Sequence, residues 1–141
     1  MVVPLEIKLS LVALGFFFLT ALLTGVWKYR HMLTSATHLA PPYVDIAHKA
    51  ALHYSFAILV VIKFEEVSGL GTKLNLLGAS LMIAFFAIAT ATYISLGATN
   101  ETDNQFKTRN FNTTVGTWML IAAEIGGFLL LFGGFLHSTV G

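Results

Sequence analysis

The sequence predicts an all-α integral membrane protein whose four transmembrane helices form an antiparallel bundle that assembles into oligomers. Of the 141 residues, 56% are hydrophobic and 11% are charged, whereas soluble domains carry about 25% charged residues. The mean hydropathy is +0.78, and the apolar residues are concentrated in four stretches. We predict a single domain over residues 1–141, with a polar loop at 99–113 and helices at about 6–28, 42–67, 74–98 and 114–137.

The composition also excludes several classes of function. Eight Lys and Arg residues against seven Asp and Glu give a net charge of +1, so no nucleic-acid partner is expected. The chain has no Cys, which excludes disulfides, thiolate nucleophiles and thiolate metal sites. Any metal must therefore be held by His, carboxylate, Tyr or Met. We expect the lipid bilayer to surround a multi-pass protein of the cell or inner membrane.

Three of the apolar stretches are long enough to cross a bilayer. The run from Ser10 to Trp27 carries no charge and supplies about 18 to 20 residues, close to the ~20 that a bilayer core requires. Its length and the lack of an Ala-x-Ala cleavage site favour a mature helix over a signal peptide. The stretch at 74–98 is also uncharged, and Glu124 is the single charge in the stretch at 114–137.

The second stretch is shorter and more polar. Between Lys49 and Lys63 there are 13 uncharged residues, and His53 is one of them. A spanning helix must therefore start near Pro42 and carry Asp45 in its first turn. Both residues suit that position, since Pro is tolerated at the first helical position and an acidic side chain complements a helix N-terminus.

The polar residues of this second helix are the main candidates for a functional site, because ionisable groups inside a membrane are costly and usually functional. His48 and His53 lie about 140° apart around the helix, so they cannot bind one metal together. Either imidazole could be an axial haem ligand among apolar helices, or could only hydrogen-bond a neighbouring helix. Lys49 could pair with an anionic group such as a haem propionate, or could simply extend to the membrane surface.

Small residues indicate close packing of the third and fourth helices. Gly126-Gly127 recur as Gly133-Gly134. A stripe of small residues at spacings of four and three follows the third helix, and its members are Ser80, Ala84, Ala87 and Ala91. Such faces join helices within one chain or chains within an oligomer. Glu124 is either a protonated hydrogen-bonding group or part of a polar cavity.

Four short motifs follow one another across nearly the whole chain. They are Leu23-Thr24-Gly25-Val26-Trp27, Ala47-His48, Leu76-Leu77-Gly78 and Asn104-Gln105-Phe106. In their order and spacing the chain resembles the styrene oxide isomerase family of small four-helix haem-binding membrane proteins. It is more distantly similar to the membrane hydroxylaminobenzene mutases.

This resemblance implies a haem b at a subunit interface of a trimer, with His48 as the iron ligand. It also implies that the ferric iron acts as a Lewis acid on the oxygen of an epoxide, after which a 1,2-shift gives an aldehyde. Such chemistry is consistent with dry apolar walls, which would keep water from a developing carbocation. No redox partner would be required.

The chain departs from the family at the residues that would orient an epoxide. Counted from His48, the position of the family's active-site Asn falls at Tyr54. Counted along the third helix, the positions of its Asp and Tyr fall at Ala84 and Thr92, and Tyr93 is one position away. Tyr54 and Tyr93 are therefore the catalytic candidates.

The sequence thus favours a membrane haem b protein that isomerises a small hydrophobic ligand, of the epoxide-to-carbonyl type. The cofactor-binding candidates are His48, Lys49 and His53, and His48 is the candidate iron ligand. One alternative is a non-enzymatic haem-binding electron-transfer or accessory subunit of a larger membrane complex, in which a second His completes six-coordinate iron. Another is a structural subunit without a cofactor.

Overall fold

The computed structural model describes residues 3–140 and is all-helical, with no strand in that part of the chain. This confirms the predicted all-α class. The long helices are α1 (Leu5–Thr34), α2 (Pro42–Val67), α3 (Thr72–Thr99) and α4 (Thr117–Val140). The connection between α3 and α4 contains a 3₁₀ turn at Gln105–Lys107 and a π-helical turn at Asn112–Gly116.

The helix bounds follow local chemistry. α2 begins at Pro42, where the fixed φ of proline suits the first helical position. α1 continues well beyond Trp27 to Thr34, because Lys, Tyr, Arg and His are compatible with a helix after it leaves an apolar layer. α3 ends at Thr99, because the next residue, Asn100, has a left-handed φ of 51°. The Asn100 N–H donates to the carbonyl oxygen of Leu96.

Consecutive helices run antiparallel, so the bundle has two ends. At one end, the Lys28 ammonium reaches Asp45, and the Tyr43 hydroxyl accepts from the backbone N–H of Gln105 at 2.6 Å. We call this the Asp45 end. At the other end, Thr72 donates to Glu6, and Ser138 donates to the carbonyl oxygen of Val67. We call this the Glu65 end, after the buried carboxylate of α2 that lies there.

Helix α2 is the centre of the bundle, since it packs against α1, α3 and α4. Its buried residues recur every three or four positions, as expected for one continuous helix face. Five of them have no exposed surface: Val44, Ala47, Ala51, Ile58 and Val61. The main hydrophobic cluster adds Phe17 from α1, Phe86 from α3 and Leu131 from α4.

Three helical segments are long and apolar enough to cross a membrane: α1, α3 and residues 112–140, which include α4. Large apolar side chains cover their outer surfaces. Phe16 is 67% exposed and Trp118 is 73% exposed, which suits a lipid environment better than water. Helix α2 is not among the three, and it carries charged residues near both of its ends.

The glycines of α4 divide into a packed pair and an open pair. A Cβ at Gly127 would lie 2.6 Å from the carbonyl oxygen of Gly78, and one at Gly134 would collide with Leu70. A Cβ at Gly126 or Gly133 would meet nothing within 4 Å. Gly127 and Gly134 therefore make close contacts within one chain. The small stripe on α3 (Ser80, Ala84, Ala87 and Ala91) is instead exposed.

Candidate functional site

His48 lies half-buried between α2 and α1. Its Nδ1 is 2.9 Å from the backbone carbonyl oxygen of Ala21. Because a carbonyl oxygen can only accept, this hydrogen bond requires the proton on Nδ1, and it leaves the lone pair on Nε2. Histidines that ligate metals are commonly oriented in this way, with the other ring nitrogen donating to a backbone carbonyl. The geometry thus fixes the orientation of His48 and identifies Nε2 as the ring nitrogen that keeps its lone pair.

Gly25 makes room for this imidazole. A Cβ at Gly25 would lie 3.1 Å from His48 Cε1 and 3.3 Å from Nδ1, which is closer than such atoms normally approach. The ring of His48 therefore rests directly on the backbone of α1. The sequence motif at 23–27 includes this glycine, but no sequence pattern indicates that it contacts the histidine of the next helix. A glycine inside an apolar helix was the only available signal.

An ion-pair triad lies about one turn of α2 before His48. Asp45 Oδ1 is 2.6 Å from Lys28 Nζ, and Asp45 Oδ2 is 2.6 Å from Lys49 Nζ. Asp45 and Lys28 side chains are each 28% exposed, whereas the Lys49 side chain is 60% exposed. The triad keeps one excess positive charge, so it remains suited to an anionic group such as a carboxylate. Lys49 is held by Asp45 and still reaches the surface.

His53 lies on a different face of α2 from His48. It is exposed, and its Nδ1 is 2.6 Å from the carbonyl oxygen of Lys49 in its own helix. The two histidines do not converge, as their angular separation predicts. Within residues 3–140, no group of three or more His, Cys, Asp or Glu side chains converges to hold a bare metal ion.

The donor chemistry at His48 nevertheless fits haem. A porphyrin supplies four nitrogen ligands itself, so the protein needs to supply only one axial imidazole. His48 provides an oriented imidazole, and the triad provides a positively charged neighbour. The residues present are therefore compatible with haem b, although a bare metal ion would find too few ligands here.

The two candidate catalytic tyrosines lie in different environments. Tyr54 stacks on Phe86 with ring centroids 4.2 Å apart and meets Phe17 edge-on at 6.2 Å. Tyr93 stacks on Tyr43 with centroids 6.1 Å apart. Tyr54 is part of the aromatic packing in the bundle interior, whereas Tyr93 also borders a cavity.

This cavity of about 320 Å³ lies between α3, α4 and the loop that connects them. Its volume is near the lower limit for small-molecule sites, which are typically apolar with a few polar groups. Its polar lining residues are Thr92, Tyr93, Gln105, Asn112 and Thr117, and its larger apolar ones include Phe85, Phe106 and Phe111. His48, Tyr54 and Glu124 do not line it. Within one chain, the candidate iron ligand and this cavity therefore lie apart.

Glu124 is half-buried in α4, and its Oε1 is enclosed without a hydrogen-bond partner within the described residues. In residues 3–140 it has no hydrogen bond through this oxygen and does not line the cavity. The structure therefore favours neither predicted role, that of a protonated hydrogen-bonding group or that of part of a polar cavity. In the α3–α4 loop, Lys107 Nζ lies 2.6 Å from Asp103 Oδ1, and this ammonium lowers the pKa of the exposed Asp103 carboxyl.

Comparison with family models, with curated proteins and with solved structures finds no match to this chain. The features of this chain that bear on function are the geometry of His48, the triad beside it and the cavity next to Tyr93.

Proposed function

We propose that this protein is a multi-pass membrane haem b protein that isomerises a small hydrophobic substrate, of the epoxide-to-carbonyl type. The observation that carries the proposal is the hydrogen bond from His48 Nδ1 to the carbonyl of Ala21, which leaves Nε2 as a ready axial ligand. The sequence resemblance to styrene oxide isomerases supports it. When bound, ferric haem b would supply a Lewis acid able to polarise the C–O bond of an epoxide.

We propose that α2 is the fourth membrane-spanning helix. Its 26 residues correspond to a length of about 39 Å, which exceeds the ~30 Å hydrocarbon layer. Its charged residues cluster near its two ends, and those at the Asp45 end neutralise one another in part. The buried centre of α2 is apolar except for Ser55, whose hydroxyl donates to the carbonyl oxygen of Leu52 in the same helix. The other three helices pack around it.

Each candidate residue then has a separate role. His48 binds the iron through Nε2, and Gly25 and the Ala21 carbonyl fix the angle of its ring. Lys28 and Lys49, joined by Asp45, offer the positive charge that anionic propionates require. Tyr93 offers its hydroxyl to a small ligand in the adjoining cavity. Tyr54, held in the aromatic stack, contributes an apolar wall that helps to exclude water.

Assembly into a homo-oligomer, a trimer by the family resemblance, would bring the separate parts together. The exposed small stripe of α3 permits close approach of a second chain. His53 is also exposed, so it would be available to a cofactor held by another chain.

A haem-binding electron-transfer or accessory subunit of a larger membrane complex is the second candidate. The separation of His48 from the cavity within one chain favours it, since a substrate site beside the iron is not formed by one chain alone. A second histidine, such as the exposed His53 of another subunit, could then complete the iron coordination.

An absorption spectrum of the detergent-purified protein, oxidised and then reduced, tests the proposal. We expect about one haem per chain with a high-spin ferric spectrum that changes when an aryl epoxide is added, and conversion of the epoxide to an aldehyde. A low-spin, epoxide-insensitive spectrum would support the electron-transfer candidate. Protein without haem would refute both and leave a structural subunit.

A further inference from the structure

A cluster of buried oxygen atoms lies at the Glu65 end of the bundle, on three helices. Glu6 is in the first turn of α1 and is 6% exposed, Ser10 follows one turn later and is 1% exposed, and Glu65 is near the end of α2 and is 4% exposed. Thr72 at the start of α3 donates its hydroxyl hydrogen to Glu6 Oε1 at 3.2 Å. Glu6, Ser10 and Glu65 are therefore almost entirely removed from solvent, whereas Thr72 lies at the exposed edge of the cluster.

Most oxygens of this cluster have no hydrogen-bond partner within residues 3–140. They are Oε2 of Glu6, both carboxylate oxygens of Glu65 and the Oγ of Ser10. The Ser10 hydroxyl lies beside the Glu65 carboxyl, and Glu6 is close enough to act on Glu65 electrostatically. A Ser10 hydrogen bond would satisfy one Glu65 oxygen, but Oε2 of Glu6 and the second Glu65 oxygen stay unpaired within the described chain. Buried polar atoms are rarely left so, which indicates a bound proton or cation.

The described chain does not supply a positive charge for these carboxylates. None of its ion pairs involves Glu6 or Glu65, and the nearby Lys63 is paired with the exposed Glu66 at 3.1 Å. A buried, uncompensated carboxylate is costly. Either a proton or a cation must therefore neutralise the pair.

We propose that Glu6 and Glu65 bind a hard divalent cation of the calcium type, with Ser10 and Thr72 as further oxygen ligands. All available side-chain donors are oxygens, which such cations prefer, and two carboxylates match a charge of +2. Protons would give each carboxyl one donor, whereas one cation satisfies several oxygens at once. The ion would join the start of α1, the end of α2 and the start of α3.

The test uses the full chain in detergent after removal of metals with a chelator. Calcium binding is measured by equilibrium dialysis, and the unfolding temperature is followed as CaCl2, MgCl2 or NaCl is added at constant ionic strength. We expect about one calcium ion per chain and an unfolding temperature that rises with the logarithm of calcium concentration. Magnesium should bind more weakly because it resists losing its water, and sodium should have no effect.

Three variants make the result specific. Glu65→Gln and Glu6→Gln should each lose the bound calcium and the thermal response. The matched control Glu66→Gln, one residue away and exposed, should keep both. Metal-free Glu65→Gln should unfold at or above the temperature of the metal-free wild type, because it lacks a buried charge, so loss of binding will not reflect misfolding.

Several outcomes would overturn the proposal. They are an absence of calcium binding in the wild type, unchanged binding in Glu65→Gln, equal loss of binding in Glu66→Gln, and an unfolding temperature that responds to pH but not to calcium. The last outcome would assign the neutralising role to protons.

Discussion

The two ends of helix α2 carry buried or half-buried carboxylates that differ in whether they have positively charged partners. At the Asp45 end, one carboxylate has two lysine partners at 2.6 Å. At the Glu65 end, two more deeply buried carboxylates lie together without a cationic partner in the described chain.

This difference shows which carboxylates have positively charged partners within the described chain and which do not. At the Asp45 end the carboxylate has two lysine partners and one positive charge is left over. Beside it, His48 is hydrogen-bonded through Nδ1, which leaves the lone pair on Nε2. The Glu65 end is incomplete and requires a proton or an ion from outside. One region thus offers a single oriented nitrogen, and the other offers several unsatisfied oxygens. The two would select different ligands.

Both ends of the bundle depend on the packing of α4 against α3, which substitutions at the α4 glycines test. We expect Gly127→Ala to lower the free energy of unfolding by about 1 to 3 kcal/mol, because its Cβ would meet the backbone oxygen of Gly78. Gly126→Ala, whose Cβ meets nothing within 4 Å, should be nearly neutral. Unfolding of both variants in detergent, followed by circular dichroism, measures this. Equal effects would contradict the packing of Gly127, and not Gly126, against α3.

Neutralising one carboxylate at each end should change stability in opposite directions. Asp45→Asn should lower the free energy of unfolding by about 1 to 2 kcal/mol, because two charge-assisted hydrogen bonds are weakened. Glu65→Gln in metal-free protein should leave it unchanged or raise it, because a buried charge without a counter-charge is removed. The two unfolding midpoints are compared in the same detergent and at the same salt concentration. A loss of stability in both variants would remove the contrast between the ends.

Within the triad, the two lysines should contribute unequally. Lys28→Ala should cost about 1 kcal/mol and Lys49→Ala about half as much or less, since the Lys49 side chain is more exposed and water screens its ion pair. Thermal unfolding at low and high salt provides the measurement, and salt should reduce the difference. A larger cost for Lys49→Ala would mean that it makes a contact beyond Asp45.

Much of the fold could be predicted from hydrophobic runs and turn-forming residues. The all-helical class followed from four apolar stretches, and the Pro41-Pro42 pair marks the observed start of α2. Hydropathy could not show that α1 continues to Thr34, because a helix need not stop where an apolar run stops. Hydropathy also could not show that the small stripe of α3 is exposed, since small residues suit contacts within one chain and contacts between chains equally.

The candidate site was only partly accessible from sequence. The short, polar second stretch marked both His48 and His53 as candidates, and the family resemblance selected His48 as the iron ligand. The contact with Gly25 and the meeting of Glu6 with Glu65 arise from antiparallel packing of residues far apart in the chain. No local pattern encodes such pairs.

We propose His48 as the iron ligand, and the haem content of matched histidine variants tests this assignment. Haem per chain is measured for the wild type, His48→Gly and His53→Gly, each shown to be folded by circular dichroism. We predict about one haem in the wild type and in His53→Gly, almost none in His48→Gly, and recovery of the Soret band in His48→Gly when free imidazole is added. Full haem content in His48→Gly, with loss in His53→Gly, would contradict the account and place the ligand on the outer face of α2.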